Sequence, residues 1–183
     1  IMGSLYSKLI LGVENPAVGL LNIGEEETKG NELTLGTYPL LKASNVNFIG
    51  NVEGRDVFSG VADVIVCDGF VGNVVLKTGE GLATTLMGAI KEEVAKSMRA
   101  RLGAILTIPV LKEIKRKMDY SEYGGAPLLG VNGITIIAHG SSNSTAIKHA
   151  IRMARDSAEK DIVSAIHSGV ADTAGREVNY GNA

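Results

Sequence analysis

The sequence predicts an α/β protein: a parallel-rich sheet with helices on both faces. Three observations lead there. Short continuous apolar runs recur at Ala17–Ile23 (AVGLLNI), Val46–Gly50 (VNFIG), Ala62–Asp68 (ADVIVCD) and Gly133–His139 (GITIIAH), the pattern of strands buried on both sides. Segments of helical period lie between them, and strands alternating with helices imply parallel pairing through helical crossovers. Each run also stops at glycine and polar residues, the composition of a strand-to-helix turn.

Taken in order, the helical period of IMGSLYSKLILG begins with no capping residue ahead of it. Ile1 is therefore not expected to be a natural start, and the sheet is expected to be open to pairing with an upstream part. Pro16 and Gly24 bracket the first strand. Asn31–Ala43 has helical spacing that Gly36 and Pro39 weaken or break into turns. Asn73–Lys96 and Ser142–Ile166 are long and strongly periodic. In Met98–Met118 an apolar centre, LGAILTIPVL, is flanked by Arg99, Arg101, Lys112, Lys115, Arg116 and Lys117. Pro109 is expected to break this segment into a projecting amphipathic helical hairpin. From Asp172 onward, DTAGREVNYGNA reads as a polar tail.

Composition narrows the function classes. At 183 residues the chain is long enough for one sizeable core, and 45% hydrophobic with 21% charged residues excludes a disordered chain. A net charge of -2 and 4% aromatic content argue against nucleic acid, which needs a basic surface or stacking platforms. Cys67 is the single cysteine, so no internal disulfide forms, which fits a reducing, cytoplasmic setting. No apolar stretch approaches the ~18 residues of a membrane span.

In open parallel sheets, ligands bind beyond the carboxyl ends of the strands. Those ends are NIGEEETKGN (Asn22–Asn31), GNVEGRD (Gly50–Asp56), DGFVGN (Asp68–Asn73) and HGSSN (His139–Asn143). At His139, Gly140, Ser141 and Ser142 a strand gives way to a helix start, whose free amides and dipole favour an anion. Ser141 and Ser142 are equally explained as helix caps. Lys29 offers positive charge to a ligand, or only neutralises Glu25, Glu26 and Glu27. Asn73 and Lys77 lie one helical turn apart and share a face. Asp68 before Gly69 fits a turn former as well as a ligand contact. Cys67, inside a strand with no activating base, reads as a small core hydrophobe. Metal-ligand spacing, G-x-S-x-G, Walker and G-x-G-x-x-G patterns do not occur.

In this order and over nearly the whole chain, LLNIGEEETKGNE, NFIGNVEGRDVFSG, DGFVGNVVLKT, YSEYGGAPLLGV and AHGSSNSTAIKHAI resemble the PlsX-type phosphate acyltransferases of bacteria. The resemblance implies an isocitrate/isopropylmalate dehydrogenase-like fold, a homodimer, and no metal or organic cofactor. It implies conversion of acyl-acyl-carrier-protein and inorganic phosphate to acyl phosphate and free carrier protein, in phospholipid and fatty acid metabolism, with peripheral membrane contact. Proteins of that family are considerably longer, so residues 1–171 are expected to be a C-terminal portion.

Phosphorolysis of a thioester needs phosphate in line with the carbonyl and donors for the oxyanion, with no enzyme nucleophile. On that basis His139, with the amides of Gly140, Ser141 and Ser142, is expected to hold phosphate or oxyanion. Lys29 and Lys77 supply charge. Asn22, Asn31, Asp68 and Asn73 contact substrate, and Glu122 orients one of these groups. Arg99, Arg101, Ile105, Leu106, Lys112 and Lys115 are expected to meet membrane or carrier protein, or to pack in a dimer. Three alternatives stay open: a short-chain phosphate acyltransferase acting on acyl-coenzyme A, a decarboxylating dehydrogenase of the same fold, and a non-enzymatic membrane or carrier-protein adaptor. The dehydrogenase would need an aspartate cluster for metal and a nicotinamide site, neither of which the sequence offers.

Overall fold

The computed structural model describes residues 1–118 and 125–174. Three strands, β1 (Ala17–Asn22), β2 (Asn47–Glu53) and β3 (Val64–Val66), form one parallel sheet in the order β2-β1-β3. Four consecutive residues of β1 are buried, so the central strand is covered on both faces. Val18, Leu20, Leu21 and Val52 make this part of the core. Gly19 is required by close approach: a Cβ there would lie 2.7 Å from Val52 Cγ1, next to the register shift between Val18 and Gly19.

The fourth expected strand is not part of this sheet. Ile136–Ile137 (β5) pairs antiparallel with Ala126–Pro127 (β4). The chain reverses through Gly130, whose φ of 83° favours glycine, and Leu128 N–H donates to Thr135 O at 2.8 Å. A reversal over so few residues makes local pairing entropically cheap compared with joining a distant edge.

Helix α1 (Met2–Tyr6) runs into a π turn over Ser7–Leu11 and stops at Gly12. It packs on α6 (Ile162–Ala174). Helix α2 (Glu32–Ala43) is continuous, so of the two expectations for Gly36 and Pro39, weakening it or breaking it into turns, the break does not occur. A reciprocal cap starts it: Asn31 accepts from Thr34 N–H and Thr34 Oγ1 accepts from Asn31 N–H, both at 3.0 Å. Leu35 and Pro39 lie on its exposed side, so water meets the carbonyl that proline leaves unpaired.

Helix α3 (Gly69–Ala95) begins four residues before the expected Asn73, because Asp68 caps it. The expected hairpin within Met98–Met118 is instead one helix, α4, with Pro109 inside it. The explanation is the same as for Pro39, since Ile105, four residues back, is exposed. The break falls earlier, at Lys96–Ser97, where the Arg101 guanidinium donates to Ala95 O at the end of α3.

The expected single helix over Ser142–Ile166 is two, α5 (Ser144–Glu159) and α6. Asp161, at φ 46°, separates them; Asp is among the few residues that accept this conformation. Helix α6 runs on to Ala174, so the start of the expected tail, Asp172, is helical. Ala146, Ala150, Ile162 and Ile166 extend the core. Cys67 follows the end of β3 and is exposed, a correction to its expected place in the core. No helix among the described residues is long and apolar enough to cross a membrane.

Candidate functional site

Parallel pairing brings the carboxyl ends of β1, β2 and β3 to one edge, so the loops after Asn22, Glu53 and Val66 share it. The loop after β1 is built around its own polar groups. Asn22 Nδ2 donates to Lys29 O at 2.9 Å, while Asn22 Oδ1 accepts from Ile23 N–H at 2.9 Å. Glu27 accepts from Tyr38 Oη at 3.0 Å and Lys42 Nζ at 2.8 Å, both on α2. Hydrogen bonds from Lys42 and then Tyr38 hold the Glu27 carboxyl below its ordinary pKa, and Glu27 raises that of Lys42 in return. The Tyr38 ring meets Phe48 edge-on at 5.1 Å, tying this anchor to β2.

Lys29 is exposed and forms no ion pair among the described residues. Two of the three glutamates that it alternatively neutralises have other partners: Glu27 pairs with Lys42, and Glu25 with Arg55 at 3.5 Å. Lys29 is thus left to face solvent. Asn22 and Asn31, by contrast, are committed to shaping the loop and capping α2.

Asp68 Oδ1 accepts from Phe70 and Val71 N–H, each at 2.9 Å. Its charge sits where the α3 dipole would attract an anion, so this helix start is already answered by the chain itself. Asn73 is exposed, and Lys77, one turn on, pairs with Glu80 at 3.1 Å on the surface.

The His139 loop belongs to the second, two-stranded sheet and leads into α5. His139 Nδ1 accepts from Ser141 N–H at 3.2 Å and lies 2.6 Å from Ser141 Oγ. An acceptor Nδ1 places the proton of the neutral ring on Nε2, which makes Nε2 a donor. Ser142 N–H donates to His139 O at 2.9 Å. The loop therefore uses the Ser141 and Ser142 amides internally. The cap of α5 is Asn143, which accepts from Ala146 N–H at 2.9 Å, and not Ser141 or Ser142. By helix geometry the next amides, of Ser144 and Thr145, have no intrahelical partner.

Glu122 lies outside the described residues, as do the side chains of Lys112 and Lys115. On α4, Arg99, Arg101, Ile105 and Leu106 are exposed.

GNVEGRD, the strand end after β2, carries no candidate residue by sequence alone. In the structure Arg55 Nε pairs with Glu53 at 2.7 Å, and Asn51 Nδ2 donates to Glu26 O at 2.9 Å. Both residues tie the second strand-end loop to the first. Glu25, Glu53 and Asp56 bring carboxylate oxygens within 4.8 Å of one another. Arg55 already pairs with the first two, and Asp56 accepts from Glu53 N–H at 2.9 Å, so the cluster serves the loop. A cavity of about 470 Å³ lies between α6 and residues 127–135, with Leu128, Leu129, Ile134, Ile162 and Ile166 in its walls. None of the candidate residues among the described ones lines it.

Residues 1–165 match the family described as "Fatty acid synthesis protein". Proteins named phosphate acyltransferase are 57%, 58% and 61% identical in Heliobacterium modesticaldum, Pelotomaculum thermopropionicum and Desulfitobacterium hafniense, respectively. These similarities cover 92%, 93% and 90% of this chain and 50% of each relative. The chain spans about half the length of the curated relatives it matches. Since the family match includes all three parallel strands, the His139 loop and α5, the chain belongs to the fatty acid synthesis protein family, the PlsX family.

Proposed function

We propose that this chain is part of an acyl-acyl-carrier-protein:phosphate acyltransferase. The observation that carries the reading is identity of 57–61% across at least 90% of the chain with proteins named phosphate acyltransferase. In the reaction, a phosphate oxygen attacks the thioester carbonyl, the C–O bond forms, and the C–S bond breaks. The carrier-protein thiolate leaves and takes up a proton. Lys29, exposed at the sheet edge, attracts phosphate. His139 donates from Nε2 to the developing oxyanion, and the Ser144 and Thr145 amides of α5 add the dipole of a helix start. The Ser141 amide donates to the His139 imidazole and orients it, while the Ser142 amide holds the His139 backbone carbonyl, so both shape the loop instead of binding the anion. Asn73 and Lys77 supply a secondary polar edge, and Glu122 orients one of these groups.

Residues 1–171 then form a C-terminal portion of an isocitrate/isopropylmalate dehydrogenase-like α/β domain that works as a homodimer without metal or organic cofactor. The test is to mix the complete gene product carrying this sequence with acyl-acyl-carrier-protein and phosphate, and to trap acyl phosphate with hydroxylamine. Phosphate-dependent acyl hydroxamate is the expected result. Its absence overturns the reading, and turnover of acyl-coenzyme A without need of carrier protein replaces it with the short-chain alternative.

A second proposal concerns α4, on which Leu102, Ile105, Leu106 and Val110 are more than half exposed. We propose that this helix makes the peripheral membrane contact, with Arg99 and neighbouring basic residues meeting anionic headgroups.

A further inference from the structure

We infer that Asn51 is a positioning residue, and that it fixes the loop presenting Lys29 to phosphate. This rests on the role proposed above for Lys29. In β2 only Asn51 and Val52 are buried, and Asn51 is 7% exposed. It stands opposite Leu20 of β1, in a place where a parallel sheet normally carries an aliphatic side chain. Its amide is only half used. Nδ2 donates to Glu26 O at 2.9 Å, while Oδ1 is buried and accepts nothing from the described residues. The opposite amide orientation would set Oδ1 against the Glu26 carbonyl, acceptor against acceptor.

A buried carbonyl without a donor is unfavourable, and an aliphatic residue would avoid it. The fold alone gives no reason for asparagine at this position. The loop does. Its other side-chain ties, Asn22 to Lys29 O, Glu27 to Tyr38 and Lys42, and Glu25 to Arg55, lie at exposed positions. Exposed ion pairs and hydrogen bonds hold geometry weakly. The bond from Asn51 is part-buried, and it grips the backbone carbonyl of Glu26, which also accepts from Lys29 N–H at 3.1 Å. It sets where the chain turns, and so where the Lys29 ammonium group stands.

The experiment compares Asn51→Leu, Asn51→Asp and Lys29→Ala in the complete gene product, reading kcat and KM for phosphate together with the thermal midpoint. Leucine removes both the tie and the unpaired carbonyl. Aspartate keeps the shape and removes the donor. The expected result is a phosphate KM raised at least about fivefold in both Asn51 variants, with kcat within about twofold. In Asn51→Leu the thermal midpoint is kept or raised. A merely structural role would instead lower the midpoint and leave KM unmoved, and that outcome overturns the inference, as does failure of both variants to fold. An unchanged KM in Asn51→Leu beside a raised KM in Lys29→Ala overturns this inference alone. An unchanged KM in Lys29→Ala overturns the role of Lys29 and this inference with it.

Discussion

Replacing Gly30 by alanine places a methyl group into the junction between β1, its loop and α2. Gly30 has a φ of 115°, in the region that side chains rarely adopt. A Cβ there would overlap Thr34 Oγ1 and lie 2.6 Å from Asn22 Oδ1. Neither neighbour yields without loss. Thr34 Oγ1 holds the Asn31 N–H in the cap of α2, and Asn22 holds Lys29 O and Ile23 N–H. Backbone strain of this kind costs about 1–3 kcal/mol, and loss of a helix cap about 1 kcal/mol. Together they amount to roughly 2–4 kcal/mol, or a fall in thermal midpoint of roughly 5–15 °C for a domain of this size. Gly36 provides the contrast, because it lies within α2 and an added Cβ meets nothing within 4 Å. Gly36→Ala is expected to stabilise by about 0.5–1 kcal/mol through helix propensity. Thermal and urea unfolding of the two variants give opposite signs for the same chemical change. A midpoint for Gly30→Ala within about 1 °C of the parent refutes the reasoning, as does a shift of both variants in the same direction.

His139→Ala is expected to lower acyl phosphate formation by ~10²-fold, the scale of losing one oxyanion donor; full activity in a folded variant removes His139 from the mechanism. The Glu27 carboxyl, held below its ordinary pKa first by Lys42 and then by Tyr38, contributes stability that is complete above the ordinary glutamate value of about 4.3. That contribution is lost as pH falls through the lower folded-state value, so Glu27→Gln should flatten the acid side of the stability–pH curve there, and an unchanged acid side contradicts the anchor. Ile105→Glu with Leu106→Glu should abolish sedimentation with anionic liposomes while the solution size stays that of the parent. A change in size assigns α4 to a subunit interface, and unchanged sedimentation removes it from the membrane.

The sequence by itself determined the features that act over a few residues. The apolar run at Ala17–Ile23 with its flanking Pro16 and Gly24 identified β1, and ADVIVCD contained β3. Polar, glycine-rich strand ends marked Asn22, Lys29, Asp68 and His139, and five ordered motifs marked the family. Capping is equally local, but its exact residue was less legible. Asp68 reads as a turn former as well as a ligand contact and proves to be the cap of α3, while Asn143 caps α5 and not the serines before it, for which capping was one of two readings. Tertiary structure decided what depends on surroundings. Pro39 and Pro109 remain inside helices because their unpaired carbonyls lie on exposed sides, a fact no propensity records. The run ending at His139 found a local antiparallel partner and not the parallel sheet. The largest difference lies in the loop around Lys29. Its ties to Tyr38, Lys42, Asn51 and Arg55 join residues 11 to 30 positions apart. A periodic pattern encodes which face of a strand or helix is buried, but it does not encode which distant polar groups meet at the sheet edge. That follows only once β1 and β2 lie side by side in register, with Asn51 buried opposite Leu20 and the loop above it held in place.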